Sequence, residues 1–391
     1  MTLDGIFFWL RAVPLLLLIL IPLVLVHEFG HFLTARLAGI RVLEFGIGFP
    51  PRAKVLGHDH ETEYTLNWLP IGGFVRLEGE ESESDDPRAF TNASLPRQLV
   101  VLAAGVTMNV LTAVLLMFIV GWVFNPIVAP EIVQFSSGNL PFGTADPSSG
   151  QGGYGVHPTA MTPAQAAGLQ LGDRLVSLDG QSQSLLNFST DPMAPWSAAL
   201  RAHAGQKVTL VVLDKNANER SVDVTLRVPT EAAPGALGVS YGFTIGSSRG
   251  DPVSAAGQAV SGTVKALGLI VVALGDIGTQ IATNPTQAPP GVAGPVGIAE
   301  EVGNVVTQDN GPMLLLLLAA ILSANLALIN FLPFPPLDGG KAAVMIVKKA
   351  FGKRGVGALE TATYLVGFAL LLTFIAWISF FDIMRAGAGG P

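Results

Sequence analysis

The sequence contains no cysteine. That excludes disulfides and thiolate metal sites, so any zinc would have to be held by histidine and carboxylate. It leaves the compartment open. Charge is also scarce: 13% of the 391 residues are charged and 50% are hydrophobic. With a mean hydropathy of +0.51, this is the composition of an integral membrane protein with room for a folded extramembrane part. There is no basic block, and the net charge is −7, so nothing here suits nucleic acid as a partner.

Against that background one stretch stands out. From Val13 to Val26 there is no charge and no side-chain hydrogen-bonding group, and then His27, Glu28 and His31 arrive together. On a helix His27 and His31 are i and i+4, so both imidazoles leave one face and can share one Zn²⁺. Glu28 is rotated away and can address a water rather than the metal. That is the H-E-x-x-H arrangement of a zinc hydrolase with glutamate as general base. A chance match is the alternative. Ionisable residues at the end of a run long enough to span a bilayer are costly there, and they mark function by default. The segment from Phe7 to Ala38 lacks a signal-peptide cleavage site after a short core, and its far end carries the motif, so it is expected to be retained. Pro22 predicts a kink just before the histidines, or is an ordinary transmembrane proline.

Next, Ile40 to Gly79 reads as strand and turn. Tyr64, Leu66 and Trp68 alternate with polar residues between glycines and prolines. It predicts a small apolar β-hairpin or sheet beside the metal site, either structural or offering a free edge to a substrate stretched into a strand. His58 and His60 flank Asp59 and are expected in a solvated loop. Glu78 to Asp86 predicts an acidic surface loop. A second apolar segment, Leu95 to Phe124, contains Asn109, a buried amide that either bonds to another helix or holds a substrate carbonyl. Small residues at Ala103, Ala104 and Gly105 permit close packing in lipid.

Residues 127–247 differ in kind. A Gly/Ser/Pro-dense run from Ser136 to Thr162 precedes Pro163 to Gly180, which reads as a short helix, a turn and a strand ending at Asp179-Gly180. Later strands are Val208 to Leu213 and Ser221 to Val228, joined by the turn Asp214 to Asn218, with a helix near Trp196 to His203. This predicts a small α+β domain resembling a bacterial-type PDZ domain, acting as a peptide groove or as a steric gate. Residues 248–311 hold an amphipathic helix, Asp251 to Thr283, whose uncharged stretch between Lys265 and Asp276 is too short to span, and then a Pro/Gly-rich connector. Residues 312–391 hold two more spans, about Pro312 to Leu332 and Leu359 to Ile383. Between them Asn330 leads into Pro333, Pro335, Pro336 and Asp338-Gly339-Gly340. Asp338 is either the third ligand that two histidines lack or an N-cap for the following helix.

The expected architecture is therefore a polytopic α-helical membrane protein with about four transmembrane helices, a membrane-associated β-hairpin or sheet, and one PDZ-like domain. Residues 1–126 carry the first two spans. Alternating direction puts the ends of spans one and three on one face, so His27, His31 and Asp338 can meet. That face also holds Arg36, Arg41, Arg52, Lys54, Arg76, Arg88, Arg97, Lys341, Lys348, Lys349, Lys353 and Arg354. The positive-inside rule makes it cytoplasmic, in a plasma or inner membrane, with the PDZ-like domain outside.

Taken together, His27-Glu28-Phe29-Gly30-His31, Phe45-Gly46-Ile47-Gly48-Phe49, Pro70 to Val75, Gly105 to Asn109, Gly294 to Ile298 and Asn330 to Gly340 resemble the site-2 protease family in its PDZ-bearing bacterial form, over nearly the whole chain. The resemblance implies Zn²⁺ on His27, His31 and Asp338, and Glu28 as catalytic base. It implies substrate contacts at Asn330 and along Phe45, Gly46, Ile47, Gly48 and Phe49, and a membrane-reentrant loop from Val42 to Leu77. Val106 departs from the family's usual proline. The implied substrate is a single-span membrane protein already shortened outside the bilayer, such as an anti-sigma-factor-like regulator or a signal-peptide remnant. The rivals are a PDZ-bearing scaffold with a structural metal, and an ion transporter. A transporter would want ionisable residues in several spans, whose centres here offer only Asn109, Ser323, Asn325 and Thr373.

Overall fold

The computed structural model describes residues 3–59, 61–80, 84–135, 161–182, 184–187, 194–216, 218–230, 235–247, 250–286, 292–351 and 357–388. His60, most of the Ser136 to Thr162 run, and parts of the acidic loop and of the Pro/Gly connector lie outside them. The chain divides into two compact units, Met1–Phe118 with Ala259–Pro391, and Ile119–Gln258.

The first unit is built on long apolar helices, which satisfy every backbone polar group internally, as a lipid environment requires. Helix α1 (Leu3–Leu37) runs unbroken through Pro14 and Pro22. After it come strands β1 (Val42–His58) and β2 (Glu63–Leu77), then α2 (Leu95–Ile119), which ends in a π turn with Asn125 left-handed at φ 36°. Helices α1 and α2 run antiparallel and approach closely. A Cβ on Gly30 would lie 2.6 Å from the Ala104 carbonyl oxygen, so only glycine fits there. Phe32, Ile40, Val42, Leu77, Phe90, Val101 and Leu102 form one buried cluster that ties the end of α1 to the strands and to the start of α2.

The two strands are longer than a simple hairpin needs, and each folds over at its prolines. The first half of β1 lies between two segments of β2: Phe45 is opposite both Val75 and Tyr64, Gly46 opposite Phe74 and Thr65, and Ile47 opposite Gly73 and Leu66. The free edge expected along Phe45 to Phe49 is therefore filled at Phe45, Gly46 and Ile47. Alternation along a strand reports which face is buried, not how many neighbours the strand has. The second half of β1 and the facing turn are apolar and exposed, with Phe49, Val55, Leu56, Trp68 and Leu69 all uncovered.

The second unit begins with β3 (Pro126–Phe135) and the short α3 (Pro163–Ala166), which opens with a capping box between Thr162 and Gln165. Strand β4 (Arg174–Leu178), helix α4 (Ala194–Ala202), and strands β5 (Lys207–Leu213), β6 (Glu219–Thr225) and β7 (Val239–Ser247) complete it. The strands form one antiparallel five-stranded sheet in the order β6-β5-β4-β3-β7. Strand β5 buries Val208, Leu210 and Val212 at every second residue, as a half-covered sheet demands. Trp196 of α4 is 1% exposed, and its Nε1 donates to the Val128 carbonyl at 2.8 Å.

The chain re-enters the first unit within α5 (Pro252–Thr283), which is followed by α6 (Pro295–Val305), α7 (Gly311–Phe331), α8 (Asp338–Phe351) and α9 (Gly357–Ala388). Five of the described helices, α1, α2, α5, α7 and α9, contain stretches long and apolar enough to cross a membrane. The charges of α5 predict a surface helix, whereas its 32 residues meet the length and composition of a span. Its contacts show where it runs. Thr263 Oγ1, which donates to the Ala259 carbonyl one turn back, lies 3.3 Å from Met117 Sδ, near the end of α2 farthest from His27 and His31. Just past α5, the Pro285 carbonyl accepts from Trp377 Nε1 and the Val292 carbonyl from Arg385, both at 3.1 Å, toward the C-terminal end of α9. Asp382 of the same α9 segment accepts from the Gly297 N–H of α6 at 2.9 Å. Helix α6 in turn packs on the N-terminal half of α1 through Leu16, Ala299 and Val302. Thr263 of α5 and the connector after it thus both meet the end of the bundle away from His27 and His31.

Trp196→Ala removes the largest fully buried side chain of the sheet unit and its hydrogen bond to the Val128 carbonyl. It is expected to destabilise that unit by about 3–5 kcal/mol. Trypsin cleavage within residues 119–258 should accelerate accordingly, while cleavage at the helical unit's loops stays unchanged.

Candidate metal centre

His27 and His31 sit on the last third of α1, both buried. Asp338 is the first residue of α8, where the chain returns sharply after the prolines that end α7. A Cβ on Gly339 would lie 2.2 Å from the Phe331 carbonyl oxygen, and one on Gly340 2.4 Å from the Pro335 nitrogen. The two glycines thus allow the tight return that carries Asp338 back to α1.

Three atoms meet there. His27 Nε2 lies 3.0 Å from Asp338 Oδ2, His31 Nε2 lies 3.1 Å from the same oxygen, and the two Nε2 atoms are 3.1 Å apart. A tetrahedral zinc with bonds of roughly 2.0–2.1 Å has ligand–ligand edges of about 3.3–3.4 Å, so this triangle is close to one face of such a site. Proton bookkeeping points the same way. His31 Nδ1 is 2.8 Å from the Val101 carbonyl, which can only accept, so Nδ1 carries the proton and a neutral His31 aims its Nε2 lone pair at a carboxylate. A cation among the three atoms turns that opposition into attraction. Among the described residues these three form a group able to hold a metal ion.

The neighbouring helix leaves space for it. A Cβ on Gly105 of α2 would fall 2.4 Å from His31 Nε2 and 2.7 Å from His27 Nε2. Gly105 therefore keeps that flank of the triad open. Asp338 makes no capping bond to α8 among the described residues, which disfavours the N-cap alternative. One turn on, Lys341 Nζ pairs with Glu80 Oε1 at 2.8 Å. Burial disfavours that ammonium, yet Glu80 more than compensates and the lysine stays charged.

Glu28 is half-buried and has no hydrogen-bond partner among the described residues, so its carboxylate is free to engage water. Strand β2 comes up beside it at Gly73, where a Cβ would be 3.8 Å from Glu28 Cγ and 2.9 Å from both Leu25 Cδ2 and the Gly46 carbonyl oxygen. Asn330, near the end of α7, is half-buried and likewise lacks a partner among the described residues. Asn109 does not: it is fully buried, with its Nδ2 3.2 Å from His27 Nδ1. His58 is exposed at the end of β1 and takes no part. Val101 and Gly105 were not singled out in the sequence for the centre. The signal that could have found them is spacing, since residues 101, 105 and 109 share a face of α2 as 27 and 31 share a face of α1.

Gly105→Ala is expected to yield protein with an unchanged helical circular-dichroism spectrum that loses its zinc. Elemental analysis of the purified variant beside wild-type protein measures this.

Comparison with known sequences agrees with this chemistry. The sequence profile of peptidase family M50 matches residues 15–374. A Clostridium perfringens protein named "Putative zinc metalloprotease" is 33% identical over 368 residues, covering 93% of this chain and 95% of that one. Proteins of the same name from Clostridium acetobutylicum and Brucella suis are 30% and 28% identical, covering 93% and 94% of this chain and 94% and 93% of their own. The chain therefore belongs to peptidase family M50, the zinc-dependent site-2 protease family.

Proposed function

We propose that this protein is an intramembrane zinc metalloprotease, cutting peptide bonds within or near the transmembrane segments of single-span membrane proteins. The observation that carries the proposal is the unpaired Glu28 carboxylate one residue from a buried His27–His31–Asp338 triangle, at the ends of long apolar helices. In this reading His27, His31 and Asp338 hold the metal. Bound there, Zn²⁺ would supply a Lewis acid able to polarise a carbonyl and to bring the pKa of water down toward neutrality.

The chain's own groups do the rest. Glu28 takes the proton of the attacking water and returns it to the leaving amine, so water is added across the peptide bond and the carboxylate is regenerated. The free amide of Asn330 hydrogen-bonds the substrate backbone. A helical substrate must unwind before its carbonyl is accessible, and an extended segment needs a strand to pair with. The edge from Phe74 to Leu77 supports that role, since among the described residues β1 pairs with it on one side and no strand on the other, and Gly73 brings it to Glu28.

The sheet unit, read as PDZ-like, gates access by size, so substrates are first shortened outside the bilayer. They include regulators of the anti-sigma-factor type and signal-peptide remnants. Four helices cross, and α5 lies along the outer surface, a path supported by its return to the end of the bundle away from the triad. The basic residues Arg36, Arg41, Arg76, Lys341, Lys348 and Lys349 then flank the triad on the cytoplasmic side.

Glu28→Gln should keep zinc at wild-type stoichiometry and slow cleavage of a detergent-solubilised single-span substrate by about 10²–10⁴-fold; normal turnover would remove the general base. Because the chain has no native cysteine, single cysteines at Lys348 and at Lys215 report sidedness without background. An impermeant maleimide applied from outside intact spheroplasts should label the Lys215→Cys protein alone. Labelling at position 348 instead would invert the orientation.

A further inference from the structure

Asn109 meets His27 on the side of the ring away from the triad. It is 0% exposed, its Nδ2 stands 3.2 Å from His27 Nδ1, and its Oδ1 is buried with no hydrogen-bond partner among the described residues. Its backbone carbonyl accepts from Ser323 Oγ of α7 at 2.8 Å, so α2 is fixed at this level from both sides.

A neutral imidazole that gives its Nε2 lone pair to a cation carries its proton on Nδ1. A buried N–H needs an acceptor. With Nδ2 toward the ring, two donors would then face each other, while the amide oxygen beside them stayed unused. A half-turn of the amide about its Cβ–Cγ bond exchanges its ends and places Oδ1 on the His27 N–H with no helix moving. His31 already has the equivalent support, its Nδ1–H donating to the Val101 carbonyl. Val101, Gly105 and Asn109 are four residues apart on one helix. His27 and His31 are four apart on the antiparallel one. Each ring thus finds an acceptor one turn either side of the gap at Gly105.

We propose that Asn109 is a positioning residue of the metal centre: its side-chain carbonyl accepts from His27 Nδ1–H in the metal-loaded protein and fixes that ring's tautomer and orientation. It does not hold substrate. The inference rests on the reading of His27, His31 and Asp338 as metal ligands.

The test is the zinc dissociation constant of the purified full-length protein, measured by chelator competition without substrate. Asn109→Leu is nearly isosteric and cannot accept. It should weaken zinc binding about 10–100-fold. Asn109→Asp offers only acceptors and should bind at least as tightly as wild-type protein. An amide needed merely for helix packing would be damaged more by the buried charge than by leucine, so an aspartate variant as weak as the leucine variant overturns the proposal. So does a leucine variant with unchanged zinc affinity, including one whose KM alone rises, as a substrate-holding amide requires. If the leucine variant does not fold, the aspartate variant decides alone, and weakened zinc binding there refutes the idea. Wild-type protein that binds no zinc, or His27→Ala that binds it undiminished, instead overturns the ligand assignment beneath the proposal.

Discussion

Polar side chains buried among apolar helices have no water to turn to, so they must satisfy one another. His27, His31 and Asp338 do this only if the carboxylate and both imidazoles come to a single point, and much of the helical unit is arranged to allow it. Gly30 lets α2 lie against α1, Gly105 clears the flank of the rings, and Gly339 and Gly340 let the chain double back after α7. Small residues in these helices are thus as much part of the centre as the groups that meet there. They determine whether the backbones come near enough for the polar atoms to touch.

Much of this was legible in the sequence, for identifiable reasons. The i, i+4 histidines are a local pattern, and helix geometry converts them directly into a shared face. Asp338 is distant in sequence, yet the alternating direction of the apolar segments was enough to bring it to the same end of the bundle. Other features were not legible because they depend on neighbours that the local pattern does not name. The alternation of Val42 to Phe49 is the same whether a strand has one partner or two, so its occupied second edge was hidden. Asn109 could be recognised as a buried amide needing a partner, but nothing local identified that partner as a ring 82 positions away. Helix α5 is long and apolar enough to pass for a span, although its charges at Lys265 and Asp276 predict a surface helix, so length and charge point in different directions there.

The exposed apolar surface is unevenly distributed, and that unevenness has meaning. On α1, α2 and α9 it is what a lipid-facing helix requires. On the turn that carries Phe49, Val55, Leu56, Trp68 and Leu69 it occurs on strands interrupted by Arg52 and Lys54, the mixture of aromatic and basic residues that favours the boundary between hydrocarbon and water. The same two strands approach Glu28 at Gly73, so one β element carries both the exposed apolar turn and the backbone beside that carboxylate.

The closest contact of His27 with Asp338 spans 311 positions of chain. In a flexible connection the entropy of bringing two ends together grows only logarithmically with length, about 0.6 kcal/mol for each doubling. The fastening between α1 and α8 is therefore nearly indifferent to what is threaded between α2 and α5. An entire folded module could be enlarged, duplicated or exchanged at that insertion point with little penalty to the clasp, which leaves the helical unit free to stay constant while the inserted module diversifies.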